Sequence, residues 1–310
     1  MESAIRIDHN HGDNATEASG GLVRAMAWAA TGSLLFTIMW VLPKLAGAAV
    51  SPLQTGFLRY AAGAVCIAPF FFMGANPAPG LGAGDVKKPR LMLMHLARAA
   101  CGVTSLVLGA YAVTRIPLAN VQAIAMTNGV FTVLFAAAFL RERVGLREII
   151  AGLVALTGAV IVAGPGTEGA TGLALAGVLA AFAQAIFWGG EVVLLRATAS
   201  LDRASRILLL VNVWAALMVF VVGVWFWESL SLEVFLLISA MGPIAIVGQL
   251  CNIRAFRQAN ATALVPVRYS GIIFAAIIGM LFFDEWPDPS AILGAVMIIG
   301  GAMWLALRSR

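Results

Sequence analysis

The chain contains 310 residues, of which 61% are hydrophobic and only 11% are charged, and its mean hydropathy is +0.93. Because soluble domains carry about a quarter charged residues, this composition excludes a water-soluble globular protein. The net charge of +5 does not indicate a nucleic-acid partner, because the basic residues fall in short segments between apolar runs rather than on one basic face. All 3 cysteines lie within apolar runs, which argues against a disulfide framework or a thiolate metal centre.

The chain opens with a polar segment of mixed charge, and we expect residues 1–24 to form a disordered cytoplasmic tail. Within it, His9-Asn10-His11 is a weak candidate for metal binding, and disorder without a metal is the favoured interpretation. Beyond the tail, apolar runs recur whose length of about 20 residues is what an α-helix needs to cross the hydrocarbon core. They predict ten transmembrane helices, at 25–45, 53–75, 91–113, 117–140, 146–165, 171–194, 206–227, 232–256, 261–283 and 288–307.

The distribution of basic residues predicts the orientation of these helices. With the N-terminus inside, 15 of the 20 lysines and arginines fall in cytoplasmic segments, and only Lys44 and Arg115 fall on the opposite side. This asymmetry is what the positive-inside rule describes for an even number of spans. The sequence therefore predicts a multi-pass protein of a bacterial inner membrane, embedded in the lipid bilayer, with both termini cytoplasmic.

Two segments of the chain resemble each other. An offset of 143 residues superposes "NVQAIAMTNGVFTVLFAAAFLRERVGLREIIAGLVALTGAV" on "TALVPVRYSGIIFAAIIGMLFFDEWPDPSAILGAVMIIGGAM", with Phe131 on Phe274 and Glu142 on Glu285. The repeats predicted from this match cover 25–165 and 171–307, with five spans each. Because five is odd, the second copy enters the membrane in the opposite orientation. The predicted fold is thus an all-α integral membrane protein built from two inverted five-helix repeats, an arrangement typical of alternating-access carriers.

Each half closes on a similar stretch, "AAFLRERVGLREIIAGLVALTGAVIV" in the first and "GMLFFDEWPDPSAILGAVMIIGGAMWL" in the second. Together with the ten-span arrangement over residues 24–307, these stretches resemble the EamA family of the drug/metabolite transporter superfamily. The resemblance implies a secondary carrier for small organic solutes, often an exporter of amino acids or metabolites, with a cavity between the halves. "VPVRYSGIIFAAIIGMLFFDEWPD" is also similar to the branch of S-adenosylmethionine or riboflavin importers, so the direction of transport stays open.

Two arginines lie well inside predicted spans, Arg98 in the third and Arg268 in the ninth. A charged residue at that depth costs about 2.5–3.5 kcal/mol on insertion scales and faces the bundle interior or a wet cavity. Either the guanidinium groups hold a carboxylate or phosphate of the substrate, or they pair internally, with Glu191 or with backbone carbonyls. Pro266 frees backbone carbonyls beside Arg268, which makes it a hinge candidate.

Other polar residues complete the candidate site. Glu191 is either a proton-coupling carboxylate or an interfacial partner for an arginine, whereas Arg59 is expected to extend its side chain to the interface and Glu285 to play a structural role. The remaining candidates for substrate binding share a position near the middle of a span and a polar or indole side chain, and they are Tyr269, Ser270, Trp40, Trp188, Gln184, Asn128 and Gln249.

Rival functions are weaker on the same residues. No aspartate lies in the interior of a predicted span, and His95 is the only histidine outside the tail, so the sequence offers no HExxH site and little for a serine–histidine pair. No GxxxxGK[ST] motif is present, so we expect neither an enzyme nor an ATP-driven pump. A channel or structural subunit is less compatible with an internal inverted pair. No cofactor is expected, and small residues at 172, 176 and 180 leave a homodimer possible.

These patterns predict a secondary carrier that exports or exchanges a small metabolite bearing a carboxylate, such as an amino acid. The alternative is an importer of a larger metabolite such as S-adenosylmethionine or riboflavin.

Overall fold

The computed structural model describes residues 10–73, 88–140, 145–164, 172–199, 204–258, 264 and 267–308. About 90% of it is helical, and its described residues contain no β-strand, as the all-α prediction requires. Two 3₁₀ helices follow the first and eighth α-helices. The α-helices with described bounds are α1 Asn10–Ala46, α2 Pro52–Phe72, α3 Lys88–Val113, α4 Leu118–Ala125, α5 Asn128–Leu140, α6 Leu146–Ala163, α7 Gly172–Ala199, α8 Ala204–Gly223, α9 Leu232–Ser239, α10 Met241–Gln258, α11 Ser270–Phe283 and α12 Pro289–Arg308.

Eight segments of the described chain are long and apolar enough to cross a bilayer, judged by length and composition. Helices α4 and α5 together provide one of them, Leu118–Phe139, and α9 and α10 together provide another, Leu232–Ala255. Helix α11 and residues 289–304 of α12 are apolar but shorter. The chain is therefore a multi-pass membrane protein, and eight of its ten predicted spans meet this criterion within the described residues.

The first helix begins earlier than the sequence indicated. Helix α1 begins at Asn10, so residues 10–24, which we expected to be disordered, are helical in the structure. Residues 1–9, which include His9 of the weak metal motif, lie outside the described residues. The apolar pattern starts near residue 25, but polar residues extend a helix without difficulty once an apolar segment has nucleated it.

Turns at 47–51, 114–117, 227–231 and 284–288 meet at one end of the bundle, the distal end, which lies opposite the first turns of α1 and the last turns of α12. The start of α2 at this end is fixed locally. The Ser51 hydroxyl accepts a hydrogen bond from the backbone N–H of Gln54, the Gln54 side chain accepts one from the N–H of Ser51, and Pro52 occupies the first helical position.

Two helices that face each other are interrupted at equivalent places. The break between α4 and α5 falls at Met126 and Thr127, and α11 begins at Ser270, directly after the turn at Tyr269. The Thr127 hydroxyl donates to the carbonyl of residue 124 at 2.6 Å, and the Ser270 hydroxyl donates to the carbonyl of residue 267, also at 2.6 Å. The offset of 143 equates these two hydroxyls. Each hydroxyl supplies a hydrogen bond to a backbone carbonyl close to the interruption. Such a bond is needed because hydrocarbon offers no water to the carbonyl.

The most extensive helix contacts join the first five predicted spans to the second five. Helix α3 packs on α7, α1 on α10, α2 on α8, and α6 on α12. If each span of the first five is equated with the span at the same position in the second five, the α3–α7 contact corresponds to the α10–α1 contact. The α2–α8 and α6–α12 contacts each join a helix to its own counterpart. The core of the molecule therefore lies between the two sets rather than within either one.

Helices α6 and α12 approach each other closely enough to exclude a side chain. A methyl group added to Gly158 would lie 2.6 Å from the carbonyl oxygen of Gly294, which real β-carbons do not tolerate. Gly300 lies on the same pair of helices, but a methyl group there would meet nothing within 4 Å. Small residues at such a crossing allow backbone contact, the main source of attraction between helices in lipid.

We predict that Gly158→Ala forces α6 and α12 apart and lowers stability by about 1–3 kcal/mol, the usual cost of overpacking. Thermal unfolding of purified protein in detergent measures the change. Gly300→Ala is the matched control, because it makes the same substitution where space is open. Equal melting temperatures for the two variants would show that the crossing is not tight.

Candidate functional site

One face of α3 runs along α7 and carries the buried polar residues Arg98 and Ser105. Arg98, Gly102, Ser105 and Gly109 are spaced by three or four residues, so they share that face. The two helices are antiparallel, since Arg98 meets Glu191 near one end and Arg115 meets Gly177 near the other. We call this surface the α3–α7 seam, and its polar groups form two clusters at different depths.

The first cluster lies further from the distal end, and it contains an ion pair. The Arg98 side chain is only 3% exposed, and its Nη2 donates to Glu191 Oε1 at 3.2 Å, while the Glu191 side chain is 23% exposed. The Nε and Nη1 of Arg98 are buried and have no hydrogen-bond partner. The structure thus shows Arg98 paired with Glu191, and it leaves two guanidinium donors of Arg98 without a hydrogen-bond partner.

Helix α2 adds an aromatic residue and a second arginine to this cluster. A β-carbon on Gly102 would lie 3.2 Å from the Tyr60 hydroxyl and 3.4 Å from the Glu191 carboxyl carbon, so the missing side chain lets both groups approach. The Arg59 guanidinium stacks on the Tyr60 ring at 4.1 Å and donates to Asn212 Oδ1 of α8 at 3.0 Å. Our expectation that Arg59 reaches the interface is wrong, because Asn212 holds it inside the bundle.

Sequence analysis overlooked Tyr60 and Asn212. Both are uncharged polar residues in apolar runs, a signal that was available, but only the folded bundle shows that they flank the two arginines.

The second cluster lies about halfway along the α3–α7 seam. The Ser105 hydroxyl donates to the backbone carbonyl of Gln184 at 3.2 Å, and the side chains of Gln184 and Trp40 both press on Gly109. Gln184 is 1% exposed, and its Oε1 has no hydrogen-bond partner. The structure therefore brings Trp40 together with Gln184, as predicted residues of one site, and adds Ser105 to them.

The candidates at the start of α11 and just before it lie elsewhere, against α1. The Ser33 hydroxyl donates to the carbonyl of Arg268 at 3.4 Å, and the Thr37 hydroxyl donates to the carbonyl of Gly271 at 3.4 Å. The Arg268 side chain is exposed. Tyr269 and Ser270 mark the interruption before α11. The predicted hinge residue, Pro266, lies outside the described residues.

Three further candidates lie around the α3–α7 seam. Asn128 is buried at the start of α5, where its backbone carbonyl lies against Gly189 of α7 and its Nδ2 has no hydrogen-bond partner. Trp188 and Gln249 are half-buried on α7 and α10.

The distal end holds a chamber of about 700 Å³. Residues of α1, α2, α3 and the four distal turns line it, among them Lys44, Arg115, Glu228 and Glu285. Lys44 forms an ion pair with Glu285 and donates to the carbonyl of Ile116 at 3.2 Å. The other carboxylate oxygen of Glu285 accepts the backbone N–H of Leu118, at the start of α4, at 3.0 Å.

A model of the EamA-like transporter family matches two stretches of this chain, residues 23–164 and 175–307. The chain belongs to the EamA-like transporter family. Each match covers one of the two predicted repeats. Family and relatives are transporters by name, so the EamA protein is a membrane transporter.

Relatives of this EamA protein carry different substrates by name. A pseudopaline exporter of Pseudomonas aeruginosa is 30% identical, over 91% of this chain and 93% of its own length. A riboflavin transporter of Rhizobium johnstonii is 27% identical, over 96% and 95%. An S-adenosylmethionine uptake transporter of Rickettsia felis is 25% identical, over 86% of each chain. A crystal structure that is 20% identical superposes with a TM-score of 0.61, covering 92% of this chain and 98% of that one, and it shares the fold.

For this EamA protein we predict that Arg98→Gln lowers stability by about 3–5 kcal/mol, because Glu191 is left charged without its partner inside the bundle. Thermal unfolding in detergent measures the loss. The double variant Arg98→Gln/Glu191→Gln removes both charges and is expected to recover most of it. Arg90→Gln, at an exposed position of the same helix, is the control and should change little. A double variant as unstable as the single one would contradict the pairing.

Proposed function

We propose that this protein is a secondary carrier that moves a small metabolite bearing a carboxylate, such as an amino acid, by alternating access of two inverted five-helix halves. Export or exchange is the favoured direction. The observation that carries the proposal is the Arg98–Glu191 cluster, which lies between the two matches of the family model and retains unused guanidinium donors.

The pattern of helix contacts supports the inverted arrangement. Contacts between α3 and α7 are matched by those between α10 and α1, and the interruption at Thr127 is matched by the one at Ser270. Two copies with five spans each enter the membrane in opposite directions. Such copies exchange conformations, which generates an outward-open and an inward-open state from one architecture. Ten spans, with both termini cytoplasmic in a bacterial inner membrane, are part of this proposal.

The chemistry of the α3–α7 seam supports a ligand with a carboxylate. An arginine presents a planar fork that matches a carboxylate with two parallel hydrogen bonds, and Nε and one Nη of Arg98 remain unused for that purpose. Glu191 holds the third nitrogen and keeps the guanidinium oriented. Since binding of an anion to Arg98 weakens its attraction to Glu191, the same carboxylate is our candidate for coupling to a proton. In the second cluster of the α3–α7 seam, Gln184 provides an amide and Trp40 provides an indole.

The alternative is an importer of S-adenosylmethionine or riboflavin. One relative is named as an exporter and another as an uptake transporter, and both align with most of the chain. The names of the relatives therefore do not favour one direction of transport. S-adenosylmethionine carries a carboxylate and is compatible with Arg98, whereas riboflavin carries none. The cluster therefore favours a solute with a carboxylate over a flavin in either direction.

The decisive experiment is flux into and out of proteoliposomes with a panel of amino acids, carboxylates, nucleosides and flavins. We predict saturable flux of at least one solute with a carboxylate. Arg98→Lys keeps a charge for Glu191 but loses the fork, and it should raise the half-saturation concentration roughly tenfold, which corresponds to about 1.4 kcal/mol.

Arg90→Lys is the matched control on the same helix, and Arg268→Ala tests the exposed arginine in parallel. Conductance that does not saturate would replace the carrier by a channel. Saturable flux that is indifferent to Arg98→Lys would remove Arg98 from the binding site.

A further inference from the structure

The distal chamber is large enough for a metabolite and is separate from the Arg98–Glu191 cluster. Its volume of about 700 Å³ falls within the range of small-molecule sites, roughly 300–1,000 Å³. Along α1, Lys44 follows Trp40 by one helical turn, and along α3, Val113 follows Gly109 by one turn. The chamber therefore lies directly distal to the Trp40–Gln184 cluster, about 6 Å further along the axis.

Charges of both signs line this chamber in equal number. Lys44 and Arg115 contribute two cations, and Glu228 and Glu285 contribute two carboxylates. A ligand that is only anionic meets two carboxylates there, and one that is only cationic meets two basic groups. A ligand that carries both an ammonium and a carboxylate finds a complement for each, and such complementarity selects among ligands.

The charged groups of the chamber are held in place but not fully used. The Arg115 guanidinium stacks on the Tyr111 ring at 3.4 Å and donates through Nη1 to the Tyr111 carbonyl at 3.0 Å, while its Nε is buried without a hydrogen-bond partner. Lys44 and Glu285 are paired with each other, with side chains 11% and 20% exposed. The Lys44 and Glu285 side chains are thus preorganised. A ligand with both charges replaces the single ion pair between them with two charge-assisted contacts, one to each side chain.

The Lys44–Glu285 pair also ties the two matches of the family model together at this end. Lys44 belongs to the first match and Glu285 to the second, and Glu285 holds the first turn of α4 through Leu118. A ligand that inserts between the two charges therefore loosens the contact between the halves. Binding in the chamber and opening of the distal end are linked by the same carboxylate.

We infer that the distal chamber is a binding site for a zwitterionic solute, whose carboxylate engages Lys44 and Arg115 and whose ammonium engages Glu285 and Glu228. The inference deepens the proposed function, on which it rests, by naming the class of the transported solute as one that carries both charges. It also assigns the Lys44–Glu285 pair as the contact that the solute displaces.

Equilibrium binding to the purified protein tests the site without transport. The probes are the α-amino acids with uncharged side chains, followed, for each that binds, by its N-acetyl derivative and its amino-alcohol analogue, which keep one charge each. We expect saturable binding of at least one zwitterion and roughly tenfold weaker binding of both analogues. Absence of saturable binding across the whole panel, or equal binding of the single-charge analogues, overturns the inference.

Protection of an introduced cysteine locates the bound probe. In a background without Cys66, Cys101 and Cys251, Ala48→Cys places a thiol in the chamber lining, and Leu232→Cys places one at an exposed distal position outside it. We expect the zwitterion to slow maleimide labelling at position 48 and to leave labelling at position 232 unchanged. Equal effects at both positions would place the ligand elsewhere.

Charge variants separate ligand binding from a purely structural role of the ion pair. Glu285→Gln and Lys44→Met should each weaken zwitterion binding roughly tenfold, whereas Glu233→Gln, on the exposed first turn of α9, should not. If a variant fails to fold, the comparison of the zwitterion with its single-charge analogues on the wild-type protein still tests the inference. Unchanged affinity in both variants contradicts the inference.

The proposed function fails separately, when the zwitterion binds and protects position 48 but no saturable flux appears in proteoliposomes. Conversely, saturable flux with no protection at position 48 preserves the carrier and removes the chamber site.

Discussion

Hydrocarbon cannot solvate a charge, so each charged side chain inside the bundle needs a partner from a neighbouring helix. In the described residues these partners lie across the two halves. Arg98 of α3 pairs with Glu191 of α7, Arg59 of α2 binds Asn212 of α8, and Lys44 pairs with Glu285. The packing of the molecule follows from this requirement, because the helices that carry the partners are the ones that must touch.

An interface held by a few polar contacts and by small residues differs from one held by interdigitated large side chains. Gly102 and Gly109 on α3 let polar groups approach the backbone, and Gly158 with Gly294 brings α6 against α12. Contacts of this kind have two discrete arrangements, made or broken, so halves joined by them can switch rather than deform gradually. A ligand that supplies equivalent charges is well suited to shift such a balance, since it offsets the cost of breaking the pair it replaces.

Charged groups at two depths give α3 a particular place in the proposed mechanism. Its face leads from the distal chamber, past Ser105 and Gln184, to Arg98 and Glu191. In the mechanism that we propose, the chamber and Arg98 contact one solute in succession. The exposed Arg268 precedes α11, and its backbone carbonyl accepts a hydrogen bond from the Ser33 hydroxyl of α1.

Composition and periodicity alone determined that the chain is helical and crosses the membrane, because apolar length is a local property and hydrocarbon imposes it directly. They also determined that Arg98 is unusual, but not what it contacts. Only the tertiary structure paired Arg98 with Glu191, turned Arg59 inward to Asn212, and joined Lys44 to Glu285. These pairs are separated by at least 93 residues, and their meeting depends on how distant helices pack, which no local pattern encodes.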